Sequence, residues 1–288
     1  MSRVADSVAA ALRHAAALLA SVTDAARLEA EWLMAHALGC SRSKLLLRHM
    51  ADPAPATFDA LVARRASGAP LAHVTGETEF YGLILRVTPD VLVPRSDTEL
   101  LIDIAREKLA SRPPRRILDC GTGSGALLLA ALSVWPQAEG VGIERSPAAL
   151  VVARGNMAAQ KEPNRATMMA GDWTRSGWMD DLGRFDLVLA NPPYVATGDP
   201  DLAADVAASD PHGALFAGKD GLDDYRILIP ALSRLLVPGG WAVFEIGSRQ
   251  GEAVSGIAEA AGLRAEVHQD LAHRPRAVSM WHESGDAG

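Results

Sequence analysis

Four consecutive residues, Asn191-Pro192-Pro193-Tyr194, combine types that together can hold a flat nitrogen group. An NH2 on an amide or an aromatic ring offers two hydrogens in one plane, and a carboxamide oxygen and a backbone carbonyl can each accept one. Asn191 supplies the first acceptor and Pro192 the second. Each proline fixes its own φ, lacks an N–H and pushes the residue before it toward extended geometry, so the loop is stiff and its carbonyls are left to accept. Tyr194 then packs on the planar face. A nitrogen held in this way aims its electron pair at an electrophile, and the chemistry runs on positioning and electrostatics without a strong base beside the motif. Asn191, Pro192 and Tyr194 are therefore the candidate catalytic residues, and Pro193 joins them as a substrate contact.

A second constellation lies upstream. Arg116-Ile117-Leu118-Asp119 reads as a strand that runs into Cys120-Gly121-Thr122-Gly123-Ser124-Gly125 and then into a helix, an arrangement in which glycines let backbone pass close to a ligand. The spacing is GxGxG, not the GxGxxG dinucleotide fingerprint, and Asp119 would repel a pyrophosphate that wants helix N–H groups. A cationic, phosphate-free nucleoside suits the turn better. S-adenosyl-L-methionine is that ligand, with positive ammonium and sulfonium groups and an amino-acid part able to lie along the glycines. Glu144, about 20 residues further on, ends Val141-Gly142-Ile143-Glu144, where a carboxylate can accept both ribose hydroxyl hydrogens. Asp172 and Trp173 follow the third strand, the carboxylate suited to the adenine amino group and the indole to its face. The candidate cofactor contacts are thus Asp119, Gly121, Thr122, Gly123, Ser124, Gly125, Glu144, Asp172, Trp173 and Asn191. Each signal is weak alone; their order on successive strands makes them strong together.

These residues need a scaffold of parallel strands. Beyond Pro113 strand and helix patterns alternate: strands at 116–119, 140–143, 166–170, 187–190, 241–246, 264–268 and 277–281, helices at 126–134 and 148–159. Alternation of this kind predicts an α/β fold with a doubly wound, mostly parallel sheet. Ser96 and Glu99 have capping-box spacing ahead of a helix over 100–109, and Arg95 with Glu99 suits either a buried ion pair closing the cleft or a helix-start charge arrangement. The first 67 residues read as helices over 7–20, 24–38, 41–48 and 56–65, with Asp24 as an N-cap. Two short runs about Gly82 suggest a linking hairpin. The expected division is a helical docking domain over 1–75, the hairpin over 76–95 and a catalytic domain over 96–288.

Composition limits the partners. A net charge of −7 in 288 residues argues against strong direct nucleic-acid binding, which depends on Lys and Arg displacing counterions. Residues 1–74 hold eight Lys or Arg against six Asp or Glu, so any basic contact belongs there. Apolar runs fall short of the roughly 20 residues of a membrane span, and no secretory pattern opens the chain, which makes the cytoplasm the expected address. The two cysteines, Cys40 and Cys120, stand apart from any metal-ligand pattern, so neither zinc nor a disulfide is expected. His273, among Ala272, Arg274 and Pro275, reads as a surface histidine.

Read in order, Glu79-Phe80-Tyr81-Gly82, Val93-Pro94-Arg95-Ser96-Asp97-Thr98-Glu99, the DCGTGSG turn, GDW, NPPY and the C-terminal pattern Val243-Phe244-Glu245-Ile246-Gly247 with Gln250 resemble the HemK-like peptide-chain release factor glutamine methyltransferases. The resemblance covers nearly the whole chain. It implies the class I S-adenosylmethionine-dependent methyltransferase fold and a monomer. It also implies methylation of the glutamine side-chain amide in the Gly-Gly-Gln motif of class I release factors, with S-adenosyl-L-homocysteine as by-product and the helical domain docking the release factor. The family's usual strand-end Asp is Glu144 here, its Phe-Glu-Pro is Ser209-Asp210-Pro211, and a common glycine is His273. The motifs also fit glutamine methylation of a ribosomal protein by a sister family, while adenine-N6 methylation of nucleic acid suits the acidic catalytic half less well.

Overall fold

The computed structural model describes residues 6–200 and 210–283, and the chain parts into two compact units at Glu77 and Thr78. In the first unit α1 (Val8–Leu19) and α2 (Ala26–Ala37) pack together with α3 (Arg42–Lys44), a π turn Leu45–His49, α4 (Phe58–Ala66) and α5 (Leu71–Thr75). Leu12, Leu19, Leu33, Met34, Leu45 and Phe58 are almost wholly buried and make its core. Ser7 caps α1 by accepting from the Ala10 amide at 3.3 Å. Asp24 does not cap α2: the helix starts two residues later, Ala25 occupies the cap position, and the Thr23 hydroxyl accepts the Ala25 amide at 3.2 Å instead.

The second unit opens with the hairpin of β1 (Glu77–Phe80) and β2 (Leu83–Arg86). Its two-residue loop has φ of 51° at Tyr81 and 77° at Gly82, the paired positive φ that tight hairpins of this hand require. The sequence suggested a separate link, but Phe80 and Leu85 are buried in the same core as the sheet, which makes most of the hairpin part of the second unit. Ser96 and Glu99 do not form a capping box. They lie in a single 3-10 turn ahead of α6 (Leu100–Lys108), and the Glu99 carboxylate accepts from the Tyr81 amide of the hairpin at 2.8 Å.

Seven strands build the sheet in the order β5-β4-β3-β6-β7-β9-β8, with β3 (Arg116–Cys120), β4 (Glu139–Glu144), β5 (Ala166–Ala170), β6 (Phe185–Ala190), β7 (Leu236–Glu245), β8 (Arg264–Gln269) and β9 (Pro275–Trp281). The pairings from β5 through β7 are parallel, and β9 runs antiparallel to both β7 and β8. This is the doubly wound, mostly parallel sheet expected. Parallel strands buried on both faces need apolar runs; Leu187 through Ala190 supplies one, and Ile117 through Cys120 is buried throughout with Asp119 as its polar member. Helix α7 (Ala126–Val134) is apolar all round and buried from Ala126 to Leu132. It sits so close to β4 that a Cβ at Gly140 would lie 2.5 Å from Leu128 Cδ1. Because β3 lies between β4 and β6, the carboxyl ends of these strands bring the glycine turn, Glu144 and Asn191 to one edge of the sheet, where open sheets bind ligands.

One buried side chain ties the hairpin to this edge. Asn156, on α8 (Pro147–Ala158), accepts from the Arg86 amide at 2.8 Å and donates to the Arg86 carbonyl at 2.9 Å and the Ser124 carbonyl at 2.8 Å. Asn156→Ala leaves those backbone groups without partners, and each buried orphan costs about 1–3 kcal/mol. The expected result is a denaturant midpoint lowered by the equivalent of about 2 kcal/mol, read by urea unfolding; an unchanged midpoint would contradict this role.

Candidate active site

The turn after β3 is shaped by glycines at positive φ: 76° at Gly121, 55° at Gly123 and 86° at Gly125. Close packing explains why Gly121 cannot carry a side chain, since a Cβ there would lie 3.0 Å from Trp173 Cη2. Gly142 on β4 makes room from the other side, where a Cβ would meet Met168 Sδ at 2.7 Å and Thr122 Oγ1 at 2.9 Å. Asp119 stands at the start of this turn, almost fully buried. The Thr122 hydroxyl donates to its Oδ2 at 2.6 Å, while Oδ1 is buried and makes no hydrogen bond of ordinary geometry. Burial pushes the Asp119 carboxyl up to about 7, against the pull of the Thr122 hydroxyl and the Leu128 amide, and the Glu144 carboxylate pushes the same way.

A cavity of about 280 Å³ opens over the turn. Among the sequence-derived candidates it is lined by Asp119, Gly121, Thr122, Gly123, Ser124, Glu144, Trp173, Asn191 and Pro193. Gly125, Asp172, Pro192 and Tyr194 are outside that lining: Gly125 packs against Met168 and Leu129, and Tyr194 faces the interior. Glu144 is held by two backbone amides, Gly123 to Oε2 at 3.0 Å and Ser146 to Oε1 at 2.8 Å. Its carboxylate therefore keeps a fixed direction with lone pairs to spare. The Asp172 carboxylate accepts from the Thr174 amide and hydroxyl at 3.0 and 2.6 Å and lies near Arg175, which turns it from the cavity. Trp173 is 5% exposed, and its indole N–H donates to the buried carboxylate of Asp224 at 2.6 Å. Its N–H is thus spent inside the protein, while the residue lines the cavity.

The NPPY loop leaves β6 with Pro192 and Pro193 buried. Downstream it is pinned by Gln250, whose Nε2 donates to the Tyr194 carbonyl at 2.9 Å and the Gly221 carbonyl at 3.1 Å. Among the described residues no donor takes the Pro192 carbonyl. Asn191 Nδ2 donates to Thr98 Oγ1 at 3.3 Å, and Thr98 in turn donates to Glu245 Oε2 at 2.5 Å. The Tyr194 hydroxyl completes the group by donating to Glu245 Oε1 at 3.3 Å. Burial pushes the Tyr194 phenol far up and also raises Glu245, so Tyr194 is no base. Arg95 does not pair with Glu99. Its guanidinium binds Asp210 at 2.8 Å, joining the segment before α6 to the start of the region after the loop, because Glu99 is already committed to the hairpin amide. Ser209 lies outside the described residues. His273 is exposed with φ of 58°, a left-handed conformation that favours glycine.

Thr98, Glu245, Asp224 and Asn156 were not singled out from sequence as site residues. Thr98 and Glu245 stood within segments that carried the resemblance, and Glu245, Asp224 and Asn156 are buried polar side chains whose partners are 32 or more positions away. No spacing rule reaches so far.

Comparison with known proteins places the chain. Residues 10–76 match the PrmC N-terminal domain family, and residues 112–267 match a methyltransferase domain family. A release factor glutamine methyltransferase of Cereibacter sphaeroides is 41% identical over 283 residues, covering 96% of this chain and 98% of that protein. One from Moorella thermoacetica is 42% identical over 265 residues, covering 90% and 92%. The hMettl16 catalytic domain, solved in complex with MAT2A 3′UTR hairpin 6, superposes with a TM-score of 0.57 at 15% identity over 79% of this chain and 84% of that one, a likeness of fold alone. No described helix is long and apolar enough to cross a membrane. With that identity sustained over nearly its whole length, the chain belongs to the release factor glutamine methyltransferase family.

Proposed function

We propose that this protein transfers a methyl group from S-adenosyl-L-methionine to the side-chain amide nitrogen of the glutamine in the Gly-Gly-Gln motif of class I release factors. The observation that carries this reading is the arrangement of Asn191: its amide nitrogen is taken by Thr98, which leaves Oδ1 as an acceptor at the cavity wall. The carbonyl of Pro192, without a donor among the described residues, is the second acceptor.

The cavity suits the cofactor on its own evidence. A buried carboxylate oxygen without a hydrogen bond, Asp119 Oδ1, calls for a positive or donor group, and the sulfonium cofactor carries an ammonium. The amino-acid part would be held by Asp119 and the backbone from Gly121 to Gly123, the ribose by Glu144, and the adenine against the Trp173 ring. Asp172, read from sequence as an adenine contact, has Oδ1 engaged by Thr174 and keeps lone pairs on its carboxylate for the adenine amino group. When bound, S-adenosyl-L-methionine supplies an electrophilic methyl and leaves as S-adenosyl-L-homocysteine.

The chain's own contribution is positional. Asn191 Oδ1 and the Pro192 carbonyl each take one hydrogen of the glutamine NH2, which fixes the plane of the amide and turns its nitrogen toward the methyl-bearing site. An amide nitrogen is a weak nucleophile because its pair is delocalised into the carbonyl. Two oxygen dipoles facing its hydrogens oppose that weakness by stabilising positive charge as the C–N bond forms. Pro193 and Tyr194 close the loop behind it. The proton leaves after the bond is made, so no ionised base is required beside the nitrogen. The helical unit docks the release factor, and the enzyme acts as a cytoplasmic monomer without strong direct binding to nucleic acid.

Incubation of a class I release factor with the enzyme and S-adenosyl-L-methionine should add one methyl to the Gly-Gly-Gln glutamine, seen by peptide mass analysis. Asn191→Ala should slow that transfer by about a hundredfold or more. An unmodified glutamine, with methyl appearing on a ribosomal protein or on nucleic acid, would replace the proposed substrate. The acid side of the profile is also fixed. Asp119 titrates near 7 without ligand, and a bound cation favours its charged form, so cofactor affinity falls as pH drops below about 7. Calorimetry from pH 6 to 8 should show proton release on binding that Asp119→Asn abolishes; equal proton release from both proteins would contradict the assignment.

A further inference from the structure

A carboxamide has nearly the same shape in two orientations, yet only one of them serves an NH2 substrate. If Asn191 turned by half a rotation about its last bond, Nδ2 would face the substrate, and two sets of hydrogens would oppose each other. Something must decide the orientation. Packing cannot, because oxygen and NH2 are close to the same size.

The hydrogen-bond chain behind Asn191 does decide it. Thr98 is 4% exposed, and its hydroxyl has a single hydrogen, which goes to Glu245 Oε2 at 2.5 Å. Toward Asn191, 3.3 Å away, Thr98 Oγ1 can then only accept. Acceptance requires that Nδ2 face Thr98 and Oδ1 face the other way. Glu245, 2% exposed, receives a second hydrogen from the Tyr194 hydroxyl at 3.3 Å on Oε1, and a carboxylate that accepts at both oxygens donates at neither. The chain of bonds therefore has one direction from the Tyr194 phenol and the Asn191 amide inward to the carboxylate.

We propose that Glu245 and Thr98 are positioning residues for methyl transfer: Glu245 takes the only hydrogen of the Thr98 hydroxyl and thereby fixes the Asn191 carboxamide with its oxygen presented to the substrate NH2. The inference rests on the proposed glutamine chemistry for its functional consequence, while the orientation itself is a property of the protein alone. Charge around the carboxylate is mixed. Burial opposes its ionised form most and raises the carboxyl, and Asp97, on the turn that carries Thr98, adds to this, while the Thr98 hydroxyl, Arg276 on β9 and the Tyr194 phenol favour the carboxylate. The neighbouring phenol of Tyr225 is occupied elsewhere, donating to the Glu245 backbone carbonyl at 2.6 Å. Tyr194 gains a defined task from the same geometry. Its phenol supplies the second hydrogen that commits Glu245 to accepting.

Three variants separate positioning from mere packing. Glu245→Gln keeps the shape but lets a side-chain NH2 donate to Thr98, which frees the Thr98 hydrogen to attract Asn191 Oδ1 and reverses the chain. Thr98→Val removes the hydroxyl at nearly constant volume, and Thr98→Ser restores it. With intact release factor as substrate, Glu245→Gln and Thr98→Val should lower kcat about tenfold or more, with cofactor affinity held within about threefold, and Thr98→Ser should recover most of kcat. Side-chain amide resonances of 15N-labelled Asn191 give a readout that needs no turnover: slow hydrogen exchange in the unaltered protein, and a shifted, faster-exchanging pair in Glu245→Gln and Thr98→Val. If the unaltered protein leaves the release factor unmethylated but the resonances respond as stated, the proposed substrate fails and the orientation stands. Unchanged Asn191 resonances in folded variants, or a Thr98→Ser protein as slow as Thr98→Val, would overturn the inference.

Discussion

The catalytic unit depends on the direction of one carboxamide. In the proposed chemistry Asn191 presents an oxygen, not an NH2, at the wall of the cavity, and its own bond to Thr98 is what leaves that oxygen available. Buried polar groups are reliable devices of this kind because an unmatched donor or acceptor costs more in a dry site than in water. A wrong orientation would set the Asn191 NH2 against the hydrogens of its substrate. The two prolines that follow contribute rigidity, and Gln250 pins the loop from below through the Tyr194 carbonyl.

Sheet order brings the two halves of the chemistry together. Since β3 has β4 on one side and β6 on the other, the glycine turn, Glu144 and Asn191 leave neighbouring strands at the same end. The turn can lie this close only because three different surfaces lack a side chain or present a flat one: Gly142 below Thr122, Gly121 against the indole of Trp173, and Gly140 below α7. Asp224 then fixes the indole through its N–H, and two backbone amides fix Glu144. The Glu144 side chain is held by accepting from Gly123 and Ser146 at once. Each of these contacts spends a polar group of the protein on another, while Asp119 Oδ1 is among the buried atoms left without a partner.

Much of this was legible from residue order. The strands of the second unit were readable because parallel strands buried on both faces are short apolar runs, and DCGTGSG and NPPY mark their ends. What escaped was every contact made by a single polar residue over a long separation. Arg95 and Glu99, four positions apart, suited either an ion pair or a helix-start arrangement of charge. Neither reading reaches Asp210, the partner Arg95 takes, since sequence offers only near neighbours and says nothing of which acceptors are already taken. The capping box at Ser96 failed for the same reason: Glu99 answers the hairpin amide of Tyr81 rather than its own helix. Asp24 looked like a cap because it precedes an apolar-periodic stretch, yet one further residue of turn, Ala25, stands between it and α2. Asp172 stands beside Trp173, and its carboxylate also accepts from the Thr174 hydroxyl two positions on, a contact not read from the sequence.

The central claim is a geometric one about where a glutamine amide sits. A crystal structure of the protein with S-adenosyl-L-homocysteine and a peptide containing Gly-Gly-Gln tests it most directly. The account requires the glutamine side-chain nitrogen about 3 Å from both Asn191 Oδ1 and the Pro192 carbonyl oxygen, with the cofactor sulfur on its open side. A glutamine whose carbonyl oxygen, not its nitrogen, met Asn191, or one bound away from the loop, would contradict it.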